Sequence, residues 1–254
     1  MKNKICILSL SLLLLTALNQ CSKKTEVFVS DKTTDYMNLA PGKFIIYRLD
    51  SFKYIQYGQQ DTIIKYQAMD MVDTQFTDNL GRTTWRINRF LNDTAALGTW
   101  VPDISYFVVL NPNTLDVIEN GLRFEKLSLP ISNDFSWPGN SYINTVPPPN
   151  TATEPDLSYF AKWNYTYANV AQPYTPLNTA IDSTITVKQR DESLGVDGDL
   201  DSYRERNYSV EVYGKRIGLI YKNFLHWTFQ ARDNTYPNGF YDGYGITLRM
   251  ISHN

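Results

Sequence analysis

The feature that most constrains this fold is a series of short runs of aromatic and β-branched residues, separated by turn-forming clusters, from residue 43 onward. Such runs favour strands, and the clusters between them favour antiparallel pairing. After residue 20 no stretch shows three clear turns of helical periodicity. The sequence therefore predicts a mainly β protein, an antiparallel curved sheet or open barrel with few short helices. We assign strands to residues 43–49, 52–57, 62–76, 83–90, 122–129, 159–169, 180–189, 208–213, 217–230 and 245–251.

The run at 223–230 shows how the faces of one strand are expected to differ. Successive side chains of a strand point to opposite faces, so Leu225, Trp227 and Phe229 share one face. Phe224 and His226 fall on the other. We expect one of these faces to be core and the other half-exposed.

The start of the chain is typical of an exported lipoprotein. Lys2 and Lys4 precede an uncharged apolar run at 5–18, which is too short to cross a bilayer as a helix but suits an export signal. Leu18 lies three positions before Cys21, as lipid attachment favours, whereas Gln20 is unusual there. We predict a signal peptide at 1–20 and lipidation of Cys21. The alternative is a free thiol after an ordinary secretory signal.

The predicted mature chain divides into a tether and a body. Residues 21–42 are polar and without a sustained period, as in a lipidated N-terminus and flexible tether, and residues 43–254 form the β domain. Prolines at 147–149 and 155 mark an internal boundary near 146–156. Consecutive prolines favour a stiff, extended segment. The segment is either a surface loop within one sheet, which we favour, or a linker between two halves.

Charge and cysteine content narrow the function. Removal of residues 1–20 leaves 22 basic and 26 acidic residues, which argues against a nucleic-acid binder because such proteins need a clustered basic face. Cys6 is lost with the signal, so the mature chain has a single cysteine and forms no internal disulfide. We predict no nucleic-acid partner and no cofactor.

Candidate catalytic and metal residues are few. The chain has two histidines, His226 and His253, and no Gly-x-Ser-x-Gly elbow, so no catalytic residue is assigned. Asp197, Asp199 and Asp201 place carboxylates at alternate positions, as calcium loops do, and are weak metal candidates. The following residues lack the glycine and glutamate that an EF-hand requires, so a solvated, turn-rich loop is the favoured alternative.

The aromatic content suggests two opposite roles. The chain has five tryptophans: Trp85, Trp100, Trp137, Trp163 and Trp227. Exposed aromatic rings bind sugars or peptides, but cross-strand core pairs are the commoner use of such residues. We therefore expect core packing for most of them.

Several segments carry a family resemblance. The stretches 77–90, 119–127, 135–142, 213–221 and 243–254 resemble a family of uncharacterised Bacteroidetes lipoproteins across nearly the whole mature chain. That family has no assigned activity, so the resemblance implies no site residues. Segment 213–221 is also similar to the end strands of lipoprotein-carrier-like open barrels, which wrap an apolar groove. In such lipoproteins an acidic stretch after the lipidated cysteine accompanies surface display, and residues 22–26 depart from it, which implies an outer-membrane anchor facing the periplasm.

Three functions remain as hypotheses. The first is a lipid-anchored cell-envelope protein that acts as a non-catalytic binding or assembly module, with the membrane and an envelope protein as partners. The second is a carrier of an apolar ligand in a sheet groove. The third is a glycan-binding or glycan-processing lipoprotein.

Overall fold

The computed structural model describes residues 31–149 and 155–254. The strands in these residues are β1 (Phe44–Ile55), β2 (Gln60–Thr77), β3 (Thr83–Asn92), β4 (Val101–Leu110), β5 (Thr114–Glu119), β6 (Leu122–Ser128), β7 (Ser136–Trp137), β8 (Tyr165–Tyr174), β9 (Ile181–Leu194), β10 (Arg204–Gly214), β11 (Gly218–Gln230) and β12 (Phe240–His253). They form one antiparallel sheet in the order β6-β5-β4-β3-β2-β1-β12-β11-β10-β9-β8-β7, which nearly closes into a barrel. The predicted mainly antiparallel β class is confirmed, and the helices in the described residues are short 3₁₀ turns at Thr33–Tyr36 and Ser158–Phe160.

Several strand bounds differ from the sequence assignment. The ranges 43–49 and 52–57 form the single strand β1, because Asp50 lies between Arg48 and Arg249 in an ion-paired row and does not interrupt the strand. Strands β4 and β5 were not assigned from the sequence. The range 159–169 begins with the 3₁₀ helix Ser158–Phe160, and its strand starts only at Tyr165.

The two edge strands of the sheet, β6 and β7, are connected by a few hydrogen bonds that involve neighbouring residues. The Glu125 N–H donates to the carbonyl oxygen of Gly139 at 2.8 Å, and the indole Nε1–H of Trp137 donates to the Glu125 carbonyl at 2.7 Å. The Tyr167 hydroxyl lies 2.9 Å from both the N and the O of Ser128. These contacts take the place of a regular ladder between β6 and β7.

Aromatic side chains dominate the core, as expected. Trp85, Trp137 and Trp163 are buried, whereas Trp100 and Trp227 are half-exposed. Each fully buried large apolar side chain contributes about 1.5–3 kcal/mol. A second cluster of buried side chains contains Tyr47, Leu49, Ala68, Val212, Ile220, Leu248 and Met250.

The expected division of β11 into a core face and a half-exposed face is wrong. Phe224 and Phe229 point to opposite faces and are both buried. Phe224 packs against the aromatic core around Trp163, whereas Phe229 is covered by Tyr241 and by the guanidinium of Arg204, 4.1 Å from its ring centre. A barrel wall can therefore bury residues on both of its faces.

Part of the predicted tether belongs to the body. Tyr36 is 0% exposed, and its hydroxyl donates to Asp31 at 2.8 Å. The Arg216 N–H, in the turn between β10 and β11, donates to the Asp35 carbonyl at 2.7 Å, and Lys215 of that turn pairs with Asp31. The described part of the predicted tether, residues 31–42, therefore contacts the β domain, because Tyr36 anchors a segment whose composition is otherwise polar.

The segment 146–156 lies between strands of the same sheet. It falls after β7 and before β8, which pair directly with each other, and residues 150–154 lie outside the described residues. The described residues on both sides of this segment belong to one compact unit.

Candidate functional site

Strands β10, β11 and β12 carry a face that runs from one end of the barrel into its core. Because their pairing is in register, side chains on this face line up in rows across the three strands. From the barrel mouth inward, the rows are Glu205, Thr228 and Asp242; Asn207, His226 and Tyr244; Ser209, Phe224 and Ile246; and Glu211, Lys222 and Leu248. An open cleft is lined by the first row and by His226 and Tyr244 of the second, whereas the deeper rows line the core.

We call this opening the mouth cleft. It has a volume of about 640 Å³. The side chains that define it are Asp156, Tyr159, Tyr203, Glu205, His226, Asp242 and Tyr244. Tyr203 and Tyr244 are 40% and 42% exposed, so their rings are accessible. The cleft therefore combines aromatic surface with carboxylates.

The centre of the cleft is a stacked pair of rings. Tyr159 and His226 lie parallel within 13°, with ring centres 3.9 Å apart. The Tyr159 and Tyr244 hydroxyls are 3.3 Å apart. Burial, together with the hydrogen bond to Tyr244, raises the pKa of Tyr159 well above its usual value, so this phenol stays neutral. The pair presents an uncharged aromatic wall.

The protonation of His226 follows from its neighbours. The Asn207 amide donates from Nδ2 to Glu205 at 2.5 Å, so its Oδ1 accepts. His226 Nδ1 lies 2.7 Å from that oxygen and therefore carries the proton. Burial lowers the pKa of His226, although nearby carboxylates act in the opposite direction. The imidazole is neutral at pH 7.

The close approach of β12 to β11 at the cleft requires a glycine. Gly243 has φ +142°, and a Cβ there would lie 2.2 Å from the carbonyl oxygen of His226. An L side chain at this position would force the two strands apart. Gly243 thus holds Asp242 and Tyr244 against the β11 residues that complete the cleft.

An aromatic layer separates the mouth cleft from the barrel interior. The 3₁₀ helix Ser158–Phe160 packs Tyr159 on His226, and it packs Phe160 on Phe124 and Phe224. The Trp163 indole donates to the Tyr159 carbonyl at 2.6 Å, and the Asn140 amide donates to the Phe160 carbonyl at 3.1 Å. Below this layer lies a small cavity of about 100 Å³, lined in part by Lys126 and Lys222.

The barrel interior contains a network of charged residues. Lys126 Nζ lies 2.7 Å from Glu211 Oε1, and Lys222 Nζ lies 4.0 Å from the same oxygen and 3.7 Å from Glu119. Glu119 lies 3.9 Å from Arg89. Arg89 in turn forms a bidentate pair with Asp70. We call these six residues, Asp70, Arg89, Glu119, Lys126, Glu211 and Lys222, the buried ion network.

Charge is balanced within the buried ion network. Burial alone would raise the pKa of Glu211, but Lys126 and Lys222 hold it below its usual value. Lys222 likewise lowers the pKa of Glu119. Burial lowers the pKa of Lys126, whereas Glu119 and Glu211 raise that of Lys222 against the effect of burial. Each charge in the network therefore has a neighbour of opposite sign, as buried ionised groups require.

The acidic loop that the sequence singled out has other partners. Asp199 accepts the Asp201 N–H at 2.8 Å and the Ser202 hydroxyl at 2.5 Å, as in an ordinary turn. Asp201 pairs with Arg232 at 2.6 Å. Residues 31–149 and 155–254 contain no group of three or more histidine, cysteine or acidic side chains that could hold a metal ion. Asp197, the remaining candidate, therefore belongs to no such group. Cys21, the predicted lipidation site, lies outside the described residues.

Sequence reasoning missed most of the mouth cleft. Trp85, Trp100, Trp137, Trp163 and Trp227 are not among the side chains that line it. His226 was placed in a strand but was not paired with Asn207 or Tyr159. A signal was present in Glu205 and Asp242, which are acidic residues at the ends of aromatic-rich strands.

Comparison with known proteins assigns no function to this site. No model of a known protein family and no curated protein matches this chain. Within the described part of the chain, no helix has the length and apolar character needed to cross a membrane. The mouth cleft and the buried ion network are therefore interpreted from their own contacts.

Proposed function

We propose that this chain is a lipid-anchored cell-envelope protein that binds a small ligand in the mouth cleft without chemical conversion. The observation that supports this most is the volume of the mouth cleft, which is larger than those of the two small cavities lined by core residues. The mouth cleft measures about 640 Å³, which lies within the range of about 300–1,000 Å³ usual for ligand pockets. Its aromatic and carboxylate side chains supply both contact area and orientation.

The interior of the barrel supports a carrier function less well. The cavities beneath the aromatic layer and beside the Thr33–Tyr36 helix have volumes of about 100 and 50 Å³. A lipid chain needs a pocket of several hundred Å³. Aromatic core residues and the buried ion network fill the remaining space, so an apolar ligand would have to displace paired charges.

Glycan binding is the second candidate. Exposed aromatic faces such as those of Tyr203 and Tyr244 can stack on sugar rings, and carboxylates such as Asp242 accept hydrogen bonds from hydroxyls. These contacts suit binding, and the geometry gives no reason to assign hydrolysis to a particular carboxylate pair.

The predicted anchor precedes, in the sequence, the end of the barrel that lies opposite the mouth cleft. Asp31 contacts the turn between β10 and β11, and the mouth cleft lies at the opposite ends of those strands. Ten residue steps separate Cys21 from Asp31, a reach of at most about 35 Å. A lipid on Cys21 would be connected through this segment to the Asp31 end of the barrel.

The two histidines provide an experiment with an internal control. His226 lies in the mouth cleft, whereas His253 lies near the C-terminus and lines the small cavity beside the Thr33–Tyr36 helix. The full chain with labelled histidines, in non-ionic detergent, is titrated with spermidine, maltotriose and palmitate while imidazole NMR signals are recorded. We expect at least one probe to shift His226 saturably and leave His253 unchanged. If no probe shifted the His226 signals, the proposal would be contradicted. If palmitate shifted the His253 signals and not those of His226, a carrier function would be favoured.

A further inference from the structure

We propose that the mouth cleft binds an organic cation, a positively charged amine rather than a neutral sugar. This inference rests on the proposed function and adds the chemical class of the ligand. It is supported by two independent features of the cleft, its unbalanced negative charge and its aromatic walls.

The charge of the mouth cleft is not compensated. Asp156, Glu205 and Asp242 line it, and none of the three forms a salt bridge within the described residues. Among the described residues the lining contains no lysine or arginine, and His226 is neutral. By contrast, nearby Asp201 is paired with Arg232. The cleft therefore has a net charge of about −3, which attracts cations.

Hydrogen bonds hold these carboxylates in place without neutralising them. Glu205 accepts from the Tyr203 hydroxyl at 2.9 Å and from Asn207. Asp156 accepts the Ser158 N–H at 2.8 Å, and Asp242 accepts the Gly243 N–H at 2.9 Å. In each aspartate only one carboxylate oxygen has a hydrogen-bond donor among the described residues. The other oxygen is available to an ammonium group.

The aromatic walls provide the second contribution. A cation over a tyrosine face is attracted by the electron-rich ring. Tyr203 and Tyr244 expose their rings beside the carboxylates, and the stacked Tyr159 and His226 rings form an uncharged aromatic wall. A neutral sugar would use the same faces but would leave the negative charge uncompensated, so charge complementarity favours the amine.

A metal ion suits the cleft less well than an amine. Metal binding requires several ligands that converge on one point, and the described residues contain no such group of carboxylates and histidines. An elongated amine does not need convergence, because its charges can lie along the cleft. Spermidine, a linear trication, therefore serves as the probe.

The test measures spermidine binding to the full chain through the His226 imidazole signals, with His253 as the internal control. Asp242→Asn should weaken binding about two- to fivefold, the effect of one exposed ion pair. Asp182→Asn, which neutralises an exposed carboxylate on β9, should leave it unchanged. Raising the ionic strength to about 0.5 M should also weaken binding by screening.

The outcomes separate this inference from the proposed function. 1,8-octanediol, a neutral molecule of similar length, should not shift His226. If octanediol matched spermidine, or if Asp182→Asn weakened binding as much as Asp242→Asn, the cation inference would be overturned. Maltotriose that shifted His226 when spermidine did not would also overturn it, while leaving the proposed function intact.

Discussion

Glu211 is the residue on which the buried ion network depends most. It is 1% exposed, and both of its carboxylate oxygens accept hydrogen bonds. Lys126 donates to Oε1 at 2.7 Å, whereas Gln189 and Tyr213 donate to Oε2 at 2.8 and 2.7 Å. In Glu211→Gln the new amide NH₂ would face a donor in either orientation, because every one of these partners donates.

The expected loss follows from this geometry. Breaking a buried ion pair by removing one partner costs about 3–5 kcal/mol, since it leaves a charge without compensation. Among the described residues, Glu211→Gln leaves Glu119 as the remaining carboxylate that acts on Lys126 and Lys222, and it also creates a clash between donors. We expect about 4 kcal/mol, a large part of the roughly 5–15 kcal/mol that stabilises a typical domain.

Urea unfolding followed by tryptophan fluorescence measures this loss, because several tryptophans are buried. With a slope of about 3 kcal/mol per M for a domain of this size, the midpoint should fall by about 1–2 M. Asp182→Asn, an exposed control, should change stability by no more than about 0.5 kcal/mol. A loss below about 1 kcal/mol for Glu211→Gln would refute the assignment of a charged network.

A paired substitution distinguishes charge from packing. Lys126→Met with Glu211→Leu removes one positive and one negative charge and leaves the network balanced. Replacing a buried pair by apolar residues is often neutral or stabilising. The double variant should therefore be more stable than Glu211→Gln alone. If it were less stable, lost packing rather than lost charge would explain both results.

Three other measurements test the fold and the anchor. Folding lowers the pKa values of Glu119 and Glu211, so their contribution to stability is complete above about pH 4.5 and is lost as the pH falls through the folded values. The urea midpoint should therefore be lower at pH 3 than at pH 6, and a flat profile would contradict this. Tyr36→Ala should cost about 3–5 kcal/mol of unfolding free energy in the same assay, whereas a truly flexible tether would show no loss. Cys21→Ala should release the protein from membranes on fractionation with an unchanged urea midpoint, and continued membrane binding would point to another anchor.

The sequence predicted the fold class because its signal is local. Alternation of apolar and polar residues and the turn clusters lie within short stretches, and they locate strands such as β2 and β12. Tyr36 escaped this reasoning because a single aromatic residue in a polar segment produces no periodic signal. Its burial depends on contacts with residues 215 and 216, which are distant in the sequence.

The site could not be predicted for a related reason. Glu211 lies between two valines, which marks it as unusual, but its partner Lys126 is 85 positions away. Tyr159 lies in an aromatic run that resembles a strand, and only its packing on His226 places it in the mouth cleft. Strand periodicity gives the face on which a residue lies, but it does not give the strand or the loop on the other side of a barrel.

The register of β10 and β11 links the buried ion network to the mouth cleft. Glu211 faces Lys222 and Glu205 faces Thr228 in the same ladder, so a one-residue slip would turn both glutamates to the other face. A β-bulge between Val212 and Tyr213 lies at the inner end of this ladder. Because a slip would separate Glu211 from Lys126 and Lys222, these ion pairs oppose slippage along the whole ladder. The cleft can therefore remain open and polar at the mouth, since its geometry is fixed by pairs deeper in the barrel.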